Sequence, residues 1–247
     1  MTDPSAADRT RRPDGDDDEG PREFVKYTFY KLRPEWRRLP EPERRRGREA
    51  LVRVLEDPAP GVLVRTYSTV GTRGDADFAL WTIVPDLATL AEFHARILGT
   101  PMGGYLDTRY SYLGMARRSE YLGEHAHPGQ EGGGRRPSDL PFLFVYPFVK
   151  RREWYSLPFE ERRRMMGEHF RIGHRYPKVR IHTGYSFGLD DQEFILAFEA
   201  DSPAEFLDLV SELRPSEASR YTLLETPIFT CRKVDAERML ALAEGLP

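Results

Sequence analysis

The chain has 247 residues, enough for one large domain or two ordinary ones with a full hydrophobic core. Its 37 Lys and Arg against 40 Asp and Glu give a formal net charge of −3, so there is no basic excess of the kind that indicates nucleic-acid binding. The single cysteine, Cys231, excludes an intramolecular disulfide and fits a reducing compartment.

The N-terminal segment, residues 1–21, is acidic and polar and has no aromatic residue, so we expect a disordered tail. It lacks the apolar core of a signal peptide. No other segment approaches the roughly 18–20 apolar residues of a membrane helix. We therefore expect a cytoplasmic protein that binds neither nucleic acid nor a membrane.

The next segment, residues 22–122, has a hydrophobic pattern that predicts the order β-α-β-β-α-β. The predicted elements are a strand at 24–30, a helix at 40–56, strands at 61–70 and 76–84, a helix at 86–98 and a strand at 105–116. Asp86 is the predicted N-cap of the second helix.

Residues 139–235 repeat this order after a Gly-rich linker at 123–138. In both copies a Trp is followed at +3 and +4 by Leu-Pro and then by a basic helix. The predicted elements are a strand at 142–146, a helix at 158–175, strands at 178–187 and 192–200, a helix at 202–213, with Ser202 as its N-cap, and a strand at 221–232. Residues 236–247 add a C-terminal helix or tail. The period exceeds the about 20–50 residues of solenoid repeats. We therefore predict an α+β protein whose two ferredoxin-like halves close into one dimeric α+β barrel.

Histidines offer the main candidates for chemistry, because no P-loop, dinucleotide fingerprint, nucleophile elbow or paired-cysteine metal motif is present. His169 follows Met165 and precedes Ile172 on one partly apolar stripe of the predicted helix in the second copy. The matching helix of the first copy has no histidine, and this asymmetry favours a function, although one histidine on such a stripe is also typical of core packing. The linker histidines His125 and His127 offer a looser metal site.

Aromatic and basic residues provide the second candidates. Tyr146 ends an apolar strand before Pro147, which orients its ring on an extended segment, and Lys150 follows four residues later. Trp154 adds another ring. Each of these residues is also an ordinary packing residue when taken alone. Together with one histidine they suit a large, flat, acidic and aromatic ligand such as heme.

The run from Tyr146 to His169 resembles the chlorite dismutase-like superfamily, and within it most the coproheme decarboxylases. The segments 188–191 and 213–219 carry the same resemblance, which covers about residues 22–235. It implies a dimeric α+β barrel assembled as a homopentamer, in which only the C-terminal half binds heme. It also implies that His169 is the axial ligand of the heme iron, that Tyr146 is the catalytic tyrosine, that Lys150 binds the reactive propionate and that Trp154 packs on the macrocycle.

Three further positions are assigned by the same resemblance. Ser219 is implied to hold another propionate, with Arg214 nearby, and Glu217 is a candidate partner of the imidazole N–H. The chain departs from chlorite-decomposing members, which carry a distal arginine where this sequence has Ile181. The adjacent Arg180 is expected on the opposite face of its strand.

The implied activity is the hydrogen peroxide-dependent decarboxylation of two propionates of Fe-coproporphyrin III (coproheme) to vinyl groups. The product is heme b and the reaction runs through a tyrosyl radical, with coproheme as both substrate and cofactor. One alternative is a chlorite dismutase-like or peroxidase-like heme protein, which the isoleucine at position 181 disfavours. A second is a heme-binding or transfer module without turnover, and a third is a barrel that binds no porphyrin.

Overall fold

The computed structural model describes residues 22–117, 119–121 and 137–246. The predicted tail at 1–21 and nearly all of the predicted linker at 123–138 lie outside this range. None of the helices within it is both long enough and apolar enough to cross a membrane.

The described residues form an α+β protein, as predicted, and the element order repeats along the chain. The first set comprises β1 (Phe24–Leu32), α1 (Glu41–Glu56), β2 (Leu63–Ser68), β3 (Phe78–Val84), α2 (Leu87–Leu98) and β4 (Leu106–Ala116). The second set comprises β5 (Phe142–Lys150), α3 (Arg152–Ser156), α4 (Phe159–Gly173), β6 (Arg180–Tyr185), β7 (Phe194–Ala200), α5 (Pro203–Leu213), β8 (Thr222–Leu224) and β9 (Phe229–Lys233), and α6 (Ala236–Glu244) ends the chain.

Two of these elements correct the sequence prediction. The strand expected at 221–232 is divided into β8 and β9, which pair with different parts of β5. Pro227 lies between them and has no N–H to donate to a ladder, which explains the interruption. The short helix α3, around Trp154, was not predicted.

Both predicted N-caps are confirmed. The Asp86 carboxylate accepts a hydrogen bond from the Thr89 N–H at 2.7 Å, at the start of α2. The Ser202 hydroxyl accepts one from the Ala204 N–H at 3.2 Å, at the start of α5. Each helix therefore begins at a side-chain oxygen that accepts a hydrogen bond from a backbone N–H of the first turn, which has no partner within the helix.

The strands form one sheet in the order β7-β6-β4-β1-β3-β2-β9-β5-β8, and β7 also pairs with β5. Eight strands therefore close into a ring, with β8 attached outside it. Side chains alternate across each strand, so Leu143 and Val145 of β5 pack inside the ring. Phe144 and Tyr146 of the same strand pack on its outer face, where the helices lie.

The helices outside the first set of strands form one continuous core with them. Helix α6 contributes four buried side chains to it, which are Ala236, Met239, Leu240 and Ala243. Its Glu244 carboxylate is fully buried and accepts two hydrogen bonds from Arg48, at 3.0 and 3.1 Å. The C-terminal helix therefore returns to fill the space between α1 and the first half of the sheet.

Candidate functional site

The core outside the second set of strands is divided, unlike that of the first. One cluster joins β5, β7 and α5 around Phe198 and Phe206, with Ile172 of α4 at its margin. A separate cluster contains Trp154, Met165 and Ala218. Helix α4 contributes to both clusters, since Met165 belongs to one and Ile172 packs at the margin of the other.

His169 lies on α4 between these two clusters, one turn from Met165 and one turn from Ile172, as the stripe in the sequence predicts. Its ring is partly exposed, and neither ring nitrogen has a hydrogen-bond partner among the residues that the structure describes. Burial by the surrounding protein, and secondarily the charge of Lys150, lowers its pKa from 6.5 to about 4. At neutral pH the imidazole is therefore uncharged and has a free lone pair.

Lys150 ends β5 and is buried, with 8% of its surface exposed. Its Nζ donates a hydrogen bond to the Ala218 carbonyl at 2.8 Å and lies 4.4 Å from the centre of the Trp154 ring. Burial lowers its pKa from 10.5 to about 8, and the carboxylate of Glu193 opposes that shift. The charge of Lys150 also lowers the pKa of His169, so the ammonium and the imidazole interact electrostatically.

Glu193 positions this part of the site. Its carboxylate accepts hydrogen bonds from the Lys150 backbone N–H at 2.9 Å and from the Tyr155 hydroxyl at 2.6 Å. These two bonds join the end of β5 to α3 and thereby fix Trp154 between them. This role was not predicted from the sequence, because Glu193 lies 43 residues from Lys150 along the chain.

Arg214 and Ser219 are brought together by the turn that follows α5. The Ser219 hydroxyl donates to the Leu213 carbonyl at 3.1 Å, and Ser219 directly follows the carbonyl that accepts from Lys150. Arg214 is exposed and forms an ion pair with Glu225. The turn therefore links the surroundings of Lys150 to those of Arg214.

Tyr146 lies on the same face of β5 as Lys150, four residues before it. Its ring is buried and stacks on Phe198, with ring centres 5.9 Å apart. It lines a cavity of about 330 Å³ whose other walls include Phe206, Arg214 and Glu225. His169, Lys150 and Trp154 are not among the residues that line this cavity, so it brings Tyr146 together with Arg214 but not with the imidazole, the ammonium or the indole.

Two expectations from the sequence have opposite outcomes in the structure. Ile181 packs at the margin of the cluster that contains Tyr146, and alternation along β6 places Arg180 on the opposite face, as expected. The carboxylate of Glu217, a candidate partner of the imidazole, instead pairs with Arg164 at 2.7 Å.

Four of the other five histidines fall into three groups. His125 and His127 lie outside the described residues. His94 contacts the Tyr30 hydroxyl at 3.2 Å. His182 is buried inside the ring of strands with its Nε2 at 2.7 Å from the Glu199 carboxylate. No alternation pattern identifies such a pair from sequence, because both partners also fit ordinary strand positions.

The arrangement suits a flat ligand with several carboxylates. Lys150, Arg214 and Ser219 supply donors for carboxylates, and the rings of Trp154 and Tyr146 supply apolar walls. Within the described ranges no cluster of three or more His, Cys, Asp or Glu residues is arranged to hold a bare metal ion. A single neutral imidazole instead suits a metal that already has ligands from a macrocycle.

The family model described as chlorite dismutase matches residues 44–234. The chain belongs to the chlorite dismutase family. It is 36% identical over 198 residues to a protein of Mycolicibacterium smegmatis named coproheme decarboxylase, and the match covers 78% of this chain and 83% of that one.

Solved structures of chlorite dismutases have a similar fold. Chlorite dismutase from Candidatus Nitrospira defluvii in complex with imidazole has a TM-score of 0.81 at 22% sequence identity, covering 90% of this chain and 95% of that one. A mutant of the same enzyme gives a TM-score of 0.82 at 22% identity over the same shares. The structural likeness establishes a shared architecture.

Proposed function

We propose that this protein is a hydrogen peroxide-dependent coproheme decarboxylase that converts Fe-coproporphyrin III to heme b. The observation that carries the proposal is a buried ammonium, Lys150, which lies over the ring of Trp154 and whose charge acts on the imidazole of His169. The relative of 36% identity named coproheme decarboxylase supports the same activity.

In this proposal the substrate supplies the iron and its redox chemistry, and the protein supplies orientation and charge. His169 ligates the iron through its free lone pair. Lys150 holds the propionate that reacts, while Arg214 and Ser219 hold another. Trp154 covers one part of the macrocycle. The buried ammonium is suited to this task because an ion pair formed there is poorly screened by solvent.

Tyr146 is the residue that we propose to react with the substrate. Peroxide oxidises the bound substrate, which takes an electron from the phenol as the phenol loses its proton. The tyrosyl oxygen then removes a hydrogen atom from the β-carbon of the propionate. Loss of a second electron and of carbon dioxide leaves the vinyl group. For each propionate, one peroxide and one proton are consumed, and one carbon dioxide and two waters form.

A heme enzyme that decomposes chlorite is the second candidate, because the structures cited above are of that class. Such chemistry calls for a distal cation that stabilises charge on the departing oxygen species. The apolar side chain of Ile181, packed at the margin of the cluster around Tyr146, disfavours it. Rapid oxygen release from chlorite, with slow decay of the bound heme, would overturn our choice.

The Tyr146→Phe variant tests the reaction itself. We expect it to bind coproheme and to form no vinyl products when peroxide is added. Tyr30→Phe is a matched control, because Tyr30 is an equally buried tyrosine of β1 in the first half, and it should keep full activity. Heme b formation by Tyr146→Phe at the wild-type rate would contradict the role of the tyrosine, and a wild-type protein without turnover would indicate a binding or transfer module.

The homopentamer implied by the resemblance is part of the same proposal. Light scattering of the purified protein should give five times the mass of the chain. A monomeric mass with full activity would show that assembly is not needed for the site.

A further inference from the structure

The cavity beside Tyr146 contains one carboxylate among its described lining residues, that of Glu225. Glu225 is partly buried and lines the cavity together with Phe206 and Val210 of α5. The mechanism proposed above gives this residue no task.

Charges in the cavity act on the phenol. Burial raises the pKa of Tyr146 well above its usual value, the negative charge of Glu225 raises it further, and the positive charge of Arg214 opposes them. The ion pair between Arg214 and Glu225 holds both side chains at the cavity. The phenol, the carboxylate and the guanidinium therefore form one electrostatic unit.

The proposed reaction requires a proton acceptor near the phenol. A tyrosine that gives up an electron becomes strongly acidic, and a buried ring cannot retain the resulting positive charge at low cost. Lys150 is unsuitable because it is cationic at neutral pH and already donates to Ala218. His169 is unsuitable because its lone pair is assigned to the iron.

On the basis of the proposed function, we propose that Glu225 exchanges partners during the reaction. A carboxylate of the substrate takes its place on Arg214, and the released Glu225 accepts the phenolic proton of Tyr146, directly or through one water, as the electron passes to the peroxide-oxidised substrate. The neutral tyrosyl radical recovers an O–H bond when it takes the hydrogen atom from the propionate. Glu225 then returns its proton to solvent, where peroxide reduction consumes protons.

The Glu225→Gln variant tests this exchange, since it keeps the size of the side chain and removes the base. We expect its coproheme dissociation constant to be equal to that of the wild type or up to about fivefold lower, because the substrate carboxylate no longer competes with the carboxylate of Glu225 for Arg214. The change is small because the ion pair between Arg214 and Glu225 is exposed. The rate of decarboxylation after peroxide addition should fall about 100-fold or more, the low end for loss of a general base. Glu225→Asp should recover much of that rate.

Two further measurements distinguish proton transfer from a structural role. The solvent deuterium isotope effect on the decarboxylation rate should differ between wild type and Glu225→Gln, and the yield of tyrosyl radical by rapid-freeze electron paramagnetic resonance should fall in the variant. Glu212→Gln removes a carboxylate of α5 that pairs with Arg175 outside the cavity, and it should behave as wild type.

The outcomes separate this inference from the proposed function. A wild-type rate, isotope effect and radical yield in Glu225→Gln, with Tyr146→Phe inactive, would overturn the role of Glu225 and leave the function standing. Full activity of Tyr146→Phe would overturn the roles of both Tyr146 and Glu225, and a wild-type protein that binds coproheme without turnover would overturn the proposed function.

Discussion

Replacing Lys150 with methionine removes the buried charge of the site and keeps an unbranched side chain of similar length. The ammonium donates one hydrogen bond, to Ala218, and lies over the ring of Trp154. We expect the substitution to stabilise the protein and to weaken coproheme binding, because the charge is costly to bury and is retained for its ligand.

The size of the stability gain follows from the pKa of Lys150. Lowering it from 10.5 to about 8 disfavours the charged form in the folded state by about 3 kcal/mol, at about 1.4 kcal/mol per tenfold change in proton affinity. The folded pKa lies below the unfolded one, so the whole penalty applies below pH 8, decreases between pH 8 and 10.5 and is absent above. The lost bond to Ala218 offsets part of it, so Lys150→Met should be more stable at pH 7 by about 1–3 kcal/mol in urea denaturation.

The effect on binding should have the opposite sign. Loss of one charge-assisted hydrogen bond, worth about 1.5–3 kcal/mol, should raise the coproheme dissociation constant of Lys150→Met about 10- to 150-fold in a Soret titration at pH 7. Wild-type affinity should itself fall as the pH rises through about 8, where the free ammonium loses its proton. Lys150→Arg is the matched control, because arginine keeps its charge and should show no such decline.

The reasoning would be refuted if Lys150→Met matched the wild type in both stability and affinity. Loss of stability together with unchanged affinity would show that the ammonium is a structural group and not a ligand for carboxylates.

Three further substitutions test other parts of the account. Glu244→Gln removes the fully buried carboxylate that accepts from Arg48, and it should lower the free energy of unfolding by about 2–4 kcal/mol without changing coproheme affinity. Gly47→Ala places a Cβ against the ring of the buried Trp36 and should cost about 1–3 kcal/mol, measured by thermal unfolding. His169→Gln should reduce the decrease in the free energy of unfolding between about pH 6.5 and pH 4. The pKa of His169 is lowered from 6.5 to about 4, so the ligand-free wild type loses up to about 3 kcal/mol as the pH falls through that window, and the variant should not.

The order of the elements was predictable because it depends on local pattern. The repeated Trp and Leu-Pro spacing, the apolar periods and the caps at Asp86 and Ser202 each act within a few residues. The prediction failed at Pro227, where the apolar pattern continues but the missing N–H divides the strand.

The candidate site was predictable only in part. The asymmetry between the two copies made His169 a candidate, because a histidine present in one helix and absent from its counterpart is visible without a structure. Glu193 was not identified because Lys150 and Tyr155 lie 43 and 38 residues away along the chain, and Glu225 was not identified because no spacing rule connects it to Arg214. Such contacts depend on how the strands close, which local sequence does not encode.

The role of α6 also required the structure. Its amphipathic pattern predicts a helix, but the surface that it covers is set by the fold. Helix α6 packs into the single core cluster of the first half, whereas the second half has two separate clusters. This difference between the halves agrees with the asymmetry of the histidines.

Mass spectrometry of the porphyrins formed from stoichiometric coproheme after addition of peroxide shows whether the protein converts propionates to vinyl groups. We expect a three-propionate intermediate followed by heme b, with one peroxide consumed for each carboxyl group lost. Coproheme that binds to the protein and is recovered with all four propionates, or that is only bleached, would contradict this expectation.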